Sequence, residues 1–551
     1  MTAPALEISP KLWSHRSSAL VAIFFACLSI AMLFASGAPD SGFGDHEDEP
    51  GHLVSSLLIH DYVASGFSES PVTYAKDYYL HYPKVTIGHW PPMVPGVTAV
   101  WMLVFGATTP SLLVFFSLLG ASIATVIYLG ARRRTGDLLA ALFGGLFLLT
   151  PLVQTFGHHV MTELPLALFG TLAALQFGRF VETGEKAGGL WFGVFAAFAI
   201  LTKGSAMALA LLPLLAIALA GRWELLRRPV LWGAAAIPAL LCAPWYIATL
   251  GISTSSWAGG STPTWDHTWL AAYFYPGNLV SLAGYTVGFL ALAGFLASLA
   301  FSSRKSRWGT LALWVPLAML PYVLVPTGVQ ARHLIPVLPA FLMMAALGAS
   351  WFQRRFPKLS LGELHLVAAL ALVEFALIFV VVRKDVHGYM EAAQAIANDE
   401  GLLQSIVMVE SDAAGEGAFI SAMALAEERP GHIVLRGSKM LASSDWMGKN
   451  YQAHYASSAE MQSFLAQVPV EIVAVDESAG RDHRHPHVDV LLQAIEENPD
   501  LWQLVERYDL EIDGGLYPDS LVVYRQLVPP DHPRPKMTFD QVVGRDLSSN
   551  H

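Results

Sequence analysis

The sequence predicts a polytopic α-helical membrane protein of about eleven transmembrane helices, followed by a C-terminal extracytoplasmic α/β domain. Three observations carry this. Of the 551 residues, 54% are hydrophobic and only 14% charged, whereas a soluble chain is about one quarter charged. Apolar runs of spanning length recur from residue 19 to residue 382. Beyond residue 383 the pattern shifts to short alternating strand-like and helix-like segments.

The first span covers residues 19–36. Lys11, His15 and Arg16 precede it and read as a retained anchor with its N-terminus inside. The outer loop 37–91 follows, and it opens on a dense acidic stretch with Asp45, His46, Glu47, Asp48, Glu49 and His52. Like charges this close raise at least one pKa, which suits a general base or a cation site. From Glu49 to Ala64 the spacing of Leu53, Leu57, Leu58 and Tyr62 predicts an amphipathic helix able to lie on the membrane surface. Next come His89, Trp90 and two adjacent prolines, Pro91 and Pro92, which exclude a regular helix at that point. Residues 97–105 are apolar but too short to span, and read as interfacial or re-entrant.

The further spans are 111–130, 138–156, 164–181, 190–202, 204–220, 231–248, 280–300, 309–326, 332–350 and 364–382. Four basic clusters test this arrangement: Arg132 to Arg134, Arg222 with Arg227 and Arg228, Arg304 and Lys305 with Arg307, and Arg354 and Arg355 with Lys358. They fall on alternate loops, all on the side of the N-terminus, as the positive-inside rule requires. The break at Thr202-Lys203-Gly204 follows from the cost of a lysine in mid-span.

The expected domains are therefore a transmembrane body 1–383, an extracytoplasmic α/β domain 384–527 and a disordered tail 528–551. In the α/β part, strands are predicted at 405–409, 432–435, 470–475 and 520–524, with helices at 416–427, 459–466 and 488–496. The segment Asp412 to Gly417 lacks the third glycine of a dinucleotide fingerprint and reads as a plain strand-to-helix turn, so no nucleotide is expected. The stretch Asp482 to His487 reads as a solvated loop, because its spacing fits no defined ligand set. Cys27 and Cys242 both lie in apolar runs, which excludes a disulfide framework. The net charge of −11 argues against nucleic acid as a partner.

This topology gathers chemistry on one membrane face. The acidic loop and His89-Trp90 come first, followed by Gln154, His158, His159 and Glu163 in the next outer loop. Lys203 lies at the following outer tip, Tyr246 at the end of an outward span, and Arg332-His333 at the start of the last inward one. Carboxylates, cations and aromatics distant in sequence thus converge.

In this order and topology the motifs resemble those of the type-C glycosyltransferases, the superfamily of protein mannosyltransferases and aminoarabinose transferases that use polyprenyl-phosphate sugars. The residues carrying the resemblance are Asp48-Glu49, Trp90-Pro91-Pro92, Glu163-Leu164-Pro165, Leu201-Thr202-Lys203-Gly204, Pro244-Trp245-Tyr246 and Arg332-His333-Leu334-Ile335-Pro336. Glu163 stands where Asp is more usual in the family, and Asp45 and Glu47 are additional acids. The resemblance implies transfer of a sugar from a polyprenyl-phosphate donor to a hydroxyl of a cell-envelope glycan, lipid or protein, at the outer face of the bacterial inner membrane. It implies Asp48 as the base with Glu49 beside it, and Glu163 orienting the acceptor. Lys203, Arg332, His333 and Tyr246 would bind the donor phosphate, and His89 and Trp90 would shape the substrate groove. A divalent cation held by Asp48, Glu163 and His89 is a candidate cofactor. Two other classes fit less well. A proton-coupled transporter or flippase would place its acids in mid-span and show related halves, and neither is seen. A non-catalytic envelope-glycan binding subunit would have no need of the carboxylates and cations.

Overall fold

The computed structural model describes residues 15–257, 263–300, 307–355, 361–403, 405–444, 450–477, 485–512 and 519–527. Lys11, Arg304, Lys305, Lys358, residues 482–484 and the tail from 528 lie outside them. The chain forms two compact units. One comprises Met1–Ser36, Val114–His158 and Thr162–Val382; the other comprises Gly37–Leu113, His159–Met161 and Arg383–His551.

The first unit is helical. Among the described residues, helices long and apolar enough to cross a membrane are Ser17–Ala35, Thr109–Thr135, Glu163–Thr183 and Pro229–Ile252. Two bent pairs qualify only when each is taken together: Asp137–Leu149 with Pro151–Gly157, bent by 63°, and Trp265–Ala283 with Tyr285–Leu299, bent by 118°. Shorter apolar helices include Lys186–Thr202, Gly204–Ala220 and Leu338–Phe352. Among the described residues four helices thus qualify alone, or up to six if each bent pair is one span, and the expected count of eleven is not confirmed. The expected break at Lys203 is present: the helix Lys186–Thr202 stops, Lys203 is extended (φ −155°, ψ 134°), and a 3-10 turn Gly204–Ala210 follows.

Apolar side chains such as Leu240, Ile247 and Leu377 point outward, Ile247 with 74% of its surface exposed. That is tolerable where the surrounding solvent is hydrocarbon. Helix packing relies on small residues. A Cβ on Gly294 would lie 1.9 Å from the Met344 carbonyl oxygen, and one on Gly348 equally close to that of Leu290. The helices Tyr285–Ala300 and Leu338–Arg355 thus meet backbone to backbone.

The second unit carries a six-stranded sheet in the order β1-β7-β8-β6-β2-β3. The strands are β1 Val386–His387, β2 Ile406–Glu410, β3 Ile433–Arg436, β6 Ile472–Asp476, β7 Trp502–Ile512 and β8 Asp519–Gln526; β4 Ala442–Ser443 and β5 Gln452–Ala453 form a separate small ladder. β2 pairs in parallel with β3 and β6, and the other pairings are antiparallel. Met408, Leu435, Leu465, Val473 and Leu491 form the core. Asp412 caps the helix Ala413–Ala426, its Oδ1 accepting from the Gly415 N–H at 2.7 Å, so this turn is structural, as its sequence suggests. His487 is not in a solvated loop. It is buried in the helix Pro486–Glu496, 3.0 Å from Glu410.

The outer loop folds with this sheet domain. The helix Glu49–Ala64 forms as its spacing predicts, but every residue from Glu49 to Leu58 is buried. It packs against the helices Met93–Phe105 and Ala413–Ala426, so it is a core helix and not a membrane-surface one. Polar anchors add to the packing. Arg429 donates two hydrogen bonds to Asp61, Tyr78 donates to Asp61, and Tyr82 donates to Glu427 at 2.7 Å.

Candidate active site

Within the second unit the acidic loop ends in a buried ion cluster. Gly44 starts it, with φ +123° and so little room that a Cβ would lie 2.5 Å from that of Ala418. Only glycine fits this conformation and approach. Asp45 then turns inward, both carboxylate oxygens 2.6 Å from His159 Nε2. Glu49, in the first turn of its helix, has no exposed surface. Its carboxylate accepts from Lys384 Nζ at 2.8 and 3.0 Å, from the Gly44 N–H at 3.1 Å and from the Val160 N–H at 3.1 Å. Lys384 Nζ also lies 3.9 Å from Asp45 and 4.9 Å from the centre of the Phe43 ring.

Burial opposes ionisation of Asp45, but His159 and Lys384 outweigh it and hold the carboxyl well below the usual carboxylate range. Burial pushes Glu49 up, against the pull of Lys384 and His159, and the Asp45 charge adds to the rise. His159 is moved above its ordinary value: burial disfavours its charge, and Asp45 more than restores it.

Asp48 stands apart from this cluster. It precedes the helix Glu49–Ala64 without bonding to its backbone N–H groups, and its side chain is 23% exposed, 3.9 Å from His46 Nδ1. Lys84, a cation the sequence reading passed over, donates to the Ala413 carbonyl at 2.8 Å. Burial and Arg436 lower its pKa to about 8, while Glu416, Glu47 and Asp48 pull the other way. His89 is exposed and Trp90 packs on the buried His52, ring centres 5.1 Å apart. That segment is tied to the helix through the Thr86 N–H and Ser55 Oγ, 2.9 Å apart.

The first unit holds a second centre. Glu163, 1% exposed, opens the helix Glu163–Thr183. Lys203 Nζ donates to it at 3.0 Å, and Arg332 Nη1 lies 4.0 Å away. The broken backbone at Lys203 turns its side chain off the helix axis and over the Tyr322 ring, 5.7 Å from its centre. Tyr322 stacks on His333 with ring centres 3.9 Å apart, and His333 Nδ1 is 2.8 Å from the Tyr275 hydroxyl. Tyr246 donates to the Ile200 carbonyl at 2.9 Å, holding the end of the preceding helix.

Among the described residues, the metal-type donors that come together are Asp45, Glu49 and His159, whose ligand atoms lie within 4.8 Å of one another. This set differs from the expected Asp48, Glu163 and His89. As they stand these donors do not fit a divalent ion, because the Lys384 ammonium already sits on Glu49. Sequence reasoning flagged His159 but missed Lys384, Tyr275 and Tyr322. Lys384 is 335 residues from Glu49, and nothing local marks it among 33 lysines and arginines.

Residues 89–247 match the family model for dolichyl-phosphate-mannose-protein mannosyltransferases. That stretch contains His89, Trp90, Glu163, Lys203 and Tyr246, but neither Asp48 nor Arg332. No curated protein matches the chain in sequence. Among solved structures, ArnT from Cupriavidus metallidurans bound to undecaprenyl phosphate is 15% identical, with a TM-score of 0.56 over 91% of this chain and 97% of that one. The archaeal oligosaccharyltransferase AglB from Archaeoglobus fulgidus, in complex with an inhibitory peptide and a dolichol-phosphate, is 12% identical, with a TM-score of 0.53 over 96% and 77%. An Archaeoglobus fulgidus oligosaccharyltransferase in complex with Zn and sulfate is 14% identical, with a TM-score of 0.50 over 83% and 68%. By fold, then, the chain is similar to ArnT and AglB, and residues 89–247 match the mannosyltransferase family model.

Proposed function

We propose that this protein is a membrane glycosyltransferase that moves a sugar from a polyprenyl-phosphate donor to a hydroxyl of a cell-envelope acceptor, at the outer face of the bacterial inner membrane. The observation that carries the reading is the Glu163 centre. One buried carboxylate there faces two cations, with Lys203 at 3.0 Å and Arg332 at 4.0 Å. A phosphate is the ligand such a centre suits. His333, stacked on Tyr322, belongs to the same wall.

In the proposed reaction the acceptor oxygen attacks the anomeric carbon and its proton passes to a carboxylate. The bond from that carbon to the phosphate oxygen breaks, and the phosphate leaves with the electron pair. Lys203 and Arg332 stabilise the charge that develops on it. Asp48 takes the proton. The choice of Asp48 over Glu49 rests on hydrogen-bond capacity: Glu49 is fully buried and already accepts four hydrogen bonds, whereas Asp48 keeps part of its surface open. Glu49 is the residue that fixes the loop. Glu163 holds Lys203 in place and orients the acceptor. No step is assigned to a metal.

The test is transfer of label from a panel of radiolabelled polyprenyl-phosphate sugars in membranes containing the protein. Label passing to an envelope acceptor supports the reading, and the labelled product identifies sugar and acceptor. No transfer from any donor by folded protein, together with substrate counterflow in proteoliposomes, would replace it with the transporter reading.

A further inference from the structure

Asp45, Glu49 and His159 offer two carboxylates and an imidazole around one point, with ligand atoms within 4.8 Å of one another. Two carboxylates and a histidine are a donor set that divalent cations take up readily. Yet the middle of the set is claimed by a side chain. Lys384 is 2% exposed, its ammonium 2.8 Å from Glu49 Oε1, 3.0 Å from Oε2 and 3.9 Å from Asp45. The Phe43 ring centre lies 4.9 Å from the ammonium, within cation–π range. A divalent ion at the same donors would sit against a buried ammonium, with like charges a few ångströms apart and little solvent to screen them.

The backbone brings Lys384 here. The Gly42 N–H donates to the Val386 carbonyl at 2.7 Å, and the Val386 N–H donates to Ser41 Oγ at 2.9 Å. The chain entering the sheet domain is thereby laid alongside the start of the acidic loop, two residues from Lys384.

We propose that Lys384 is the resident cation of this pocket. Its ammonium does what a divalent ion would otherwise do: it neutralises and orients Glu49 and Asp45, and so sets the loop that presents Asp48. Lys384 is a positioning residue and touches no reacting atom. Only the last link, to Asp48, rests on the glycosyltransferase reading; the exchange of lysine for metal does not.

The experiment uses the purified full-length chain in detergent, with Mn²⁺ and Zn²⁺ as probes and EDTA as chelator. The wild type should melt at the same temperature with or without EDTA and show no saturable Mn²⁺ or Zn²⁺ binding at this pocket. Lys384→Ala should gain one metal-binding site that raises its melting temperature, and the Lys384→Ala/Glu49→Gln double variant should lose that site. Lys384→Arg should keep the wild-type insensitivity to metal. Where transfer is measurable, Lys384→Ala should fall at least tenfold and recover in part on adding Mn²⁺. A wild type that carries one tightly bound metal ion, lost in Glu49→Gln, would overturn the proposal. So would a Lys384→Ala variant that folds, melts like the wild type and binds no metal. Should Lys384→Ala fail to fold, the wild-type chelation and metal-binding measurements still decide. A protein that transfers no sugar yet behaves as predicted toward metal would refute the glycosyltransferase reading and leave this one standing.

Discussion

Glu49 accepts four hydrogen bonds, two from Lys384 and two from backbone N–H groups. Glu163, equally buried, accepts one from Lys203 at 3.0 Å and a long one from Thr162 at 3.4 Å, with Arg332 close by. Both centres join a carboxylate from the first turn of a helix to a lysine distant in sequence. Their balance differs. At Glu49 the donors saturate the carboxylate, and His159 is left to answer Asp45. At Glu163 two cations share one carboxylate. A saturated carboxylate holds a loop still, whereas paired cations at one carboxylate are the kind of group that binds a phosphate. On the proposed reading the first centre is architectural and the second takes the donor phosphate.

Substitutions separate the two. The largest loss is expected beside the first centre, at Asp48. Asp48→Asn should lower transfer by about 10²–10⁴-fold, the usual worth of a general base, with an unchanged melting temperature. Lys203→Met and Arg332→Met should each cost about 10²–10³-fold in the rate of transfer at saturating acceptor, as for loss of a charge-stabilising group. Lys384→Met should act mainly on stability, and on transfer only through the loop that Lys384 positions. It strands a buried carboxylate and should cost about 3–5 kcal/mol in detergent unfolding. Equal stability losses at Lys203 and Lys384 would dissolve the distinction. The smallest effect is expected for Tyr246→Phe. Its hydroxyl is spent on the Ile200 carbonyl, so the change should cost about 1 kcal/mol of stability and keep transfer within about tenfold of wild type. A larger drop in transfer would return Tyr246 to the phosphate site.

The first centre also carries a pH signature. Asp45 is held below its ordinary 3.8 and His159 above its ordinary 6.5. The Asp45 contribution to stability is complete above about pH 4 and is lost only as acid reaches its lowered folded value. The His159 contribution is complete below about pH 6.5 and is lost as pH climbs through its raised folded value. Glu49, raised by burial, adds loss in the same direction. Melting temperature should thus peak near about pH 4 to 4.5 and fall as pH rises above it, first through Glu49 and then through His159, with a shallower alkaline fall in His159→Gln.

Local pattern was legible where local physics decides the outcome. The spacing of Leu53, Leu57 and Leu58 marks the helix Glu49–Ala64, and the lysine at 203 marks a break that does occur. The β-branched runs mark β2, β3 and β6, which are buried parallel strands. β7 was not legible. Its interior carries Glu506, Arg507, Asp509 and Glu511 and is largely exposed from Gln503 to Arg507, so no buried apolar run marks it. The short helix Pro71–His81 was missed for a similar reason, with only Tyr78 fully buried. Site residues divided the same way. Asp48, Glu163, Lys203 and Arg332 could be named from motifs, while the partner that saturates Glu49 arrives from 335 residues away. No periodicity encodes a contact of that range. The saturation of Glu49, which separates it from Asp48, is visible only once the chain has folded.

The central claim is that the partly exposed Asp48, not the saturated Glu49, takes the acceptor proton. The most direct measurement is the pH dependence of transfer from a radiolabelled polyprenyl-phosphate sugar, in membranes containing wild type, Asp48→Asn or Glu49→Gln, each scored per folded molecule. Asp48→Asn should abolish nearly all transfer, and with it the acid limb of the wild-type profile. Glu49→Gln should lower the amount of folded protein and leave the acid limb in place. Full transfer by Asp48→Asn, with the acid limb lost in Glu49→Gln instead, would contradict it.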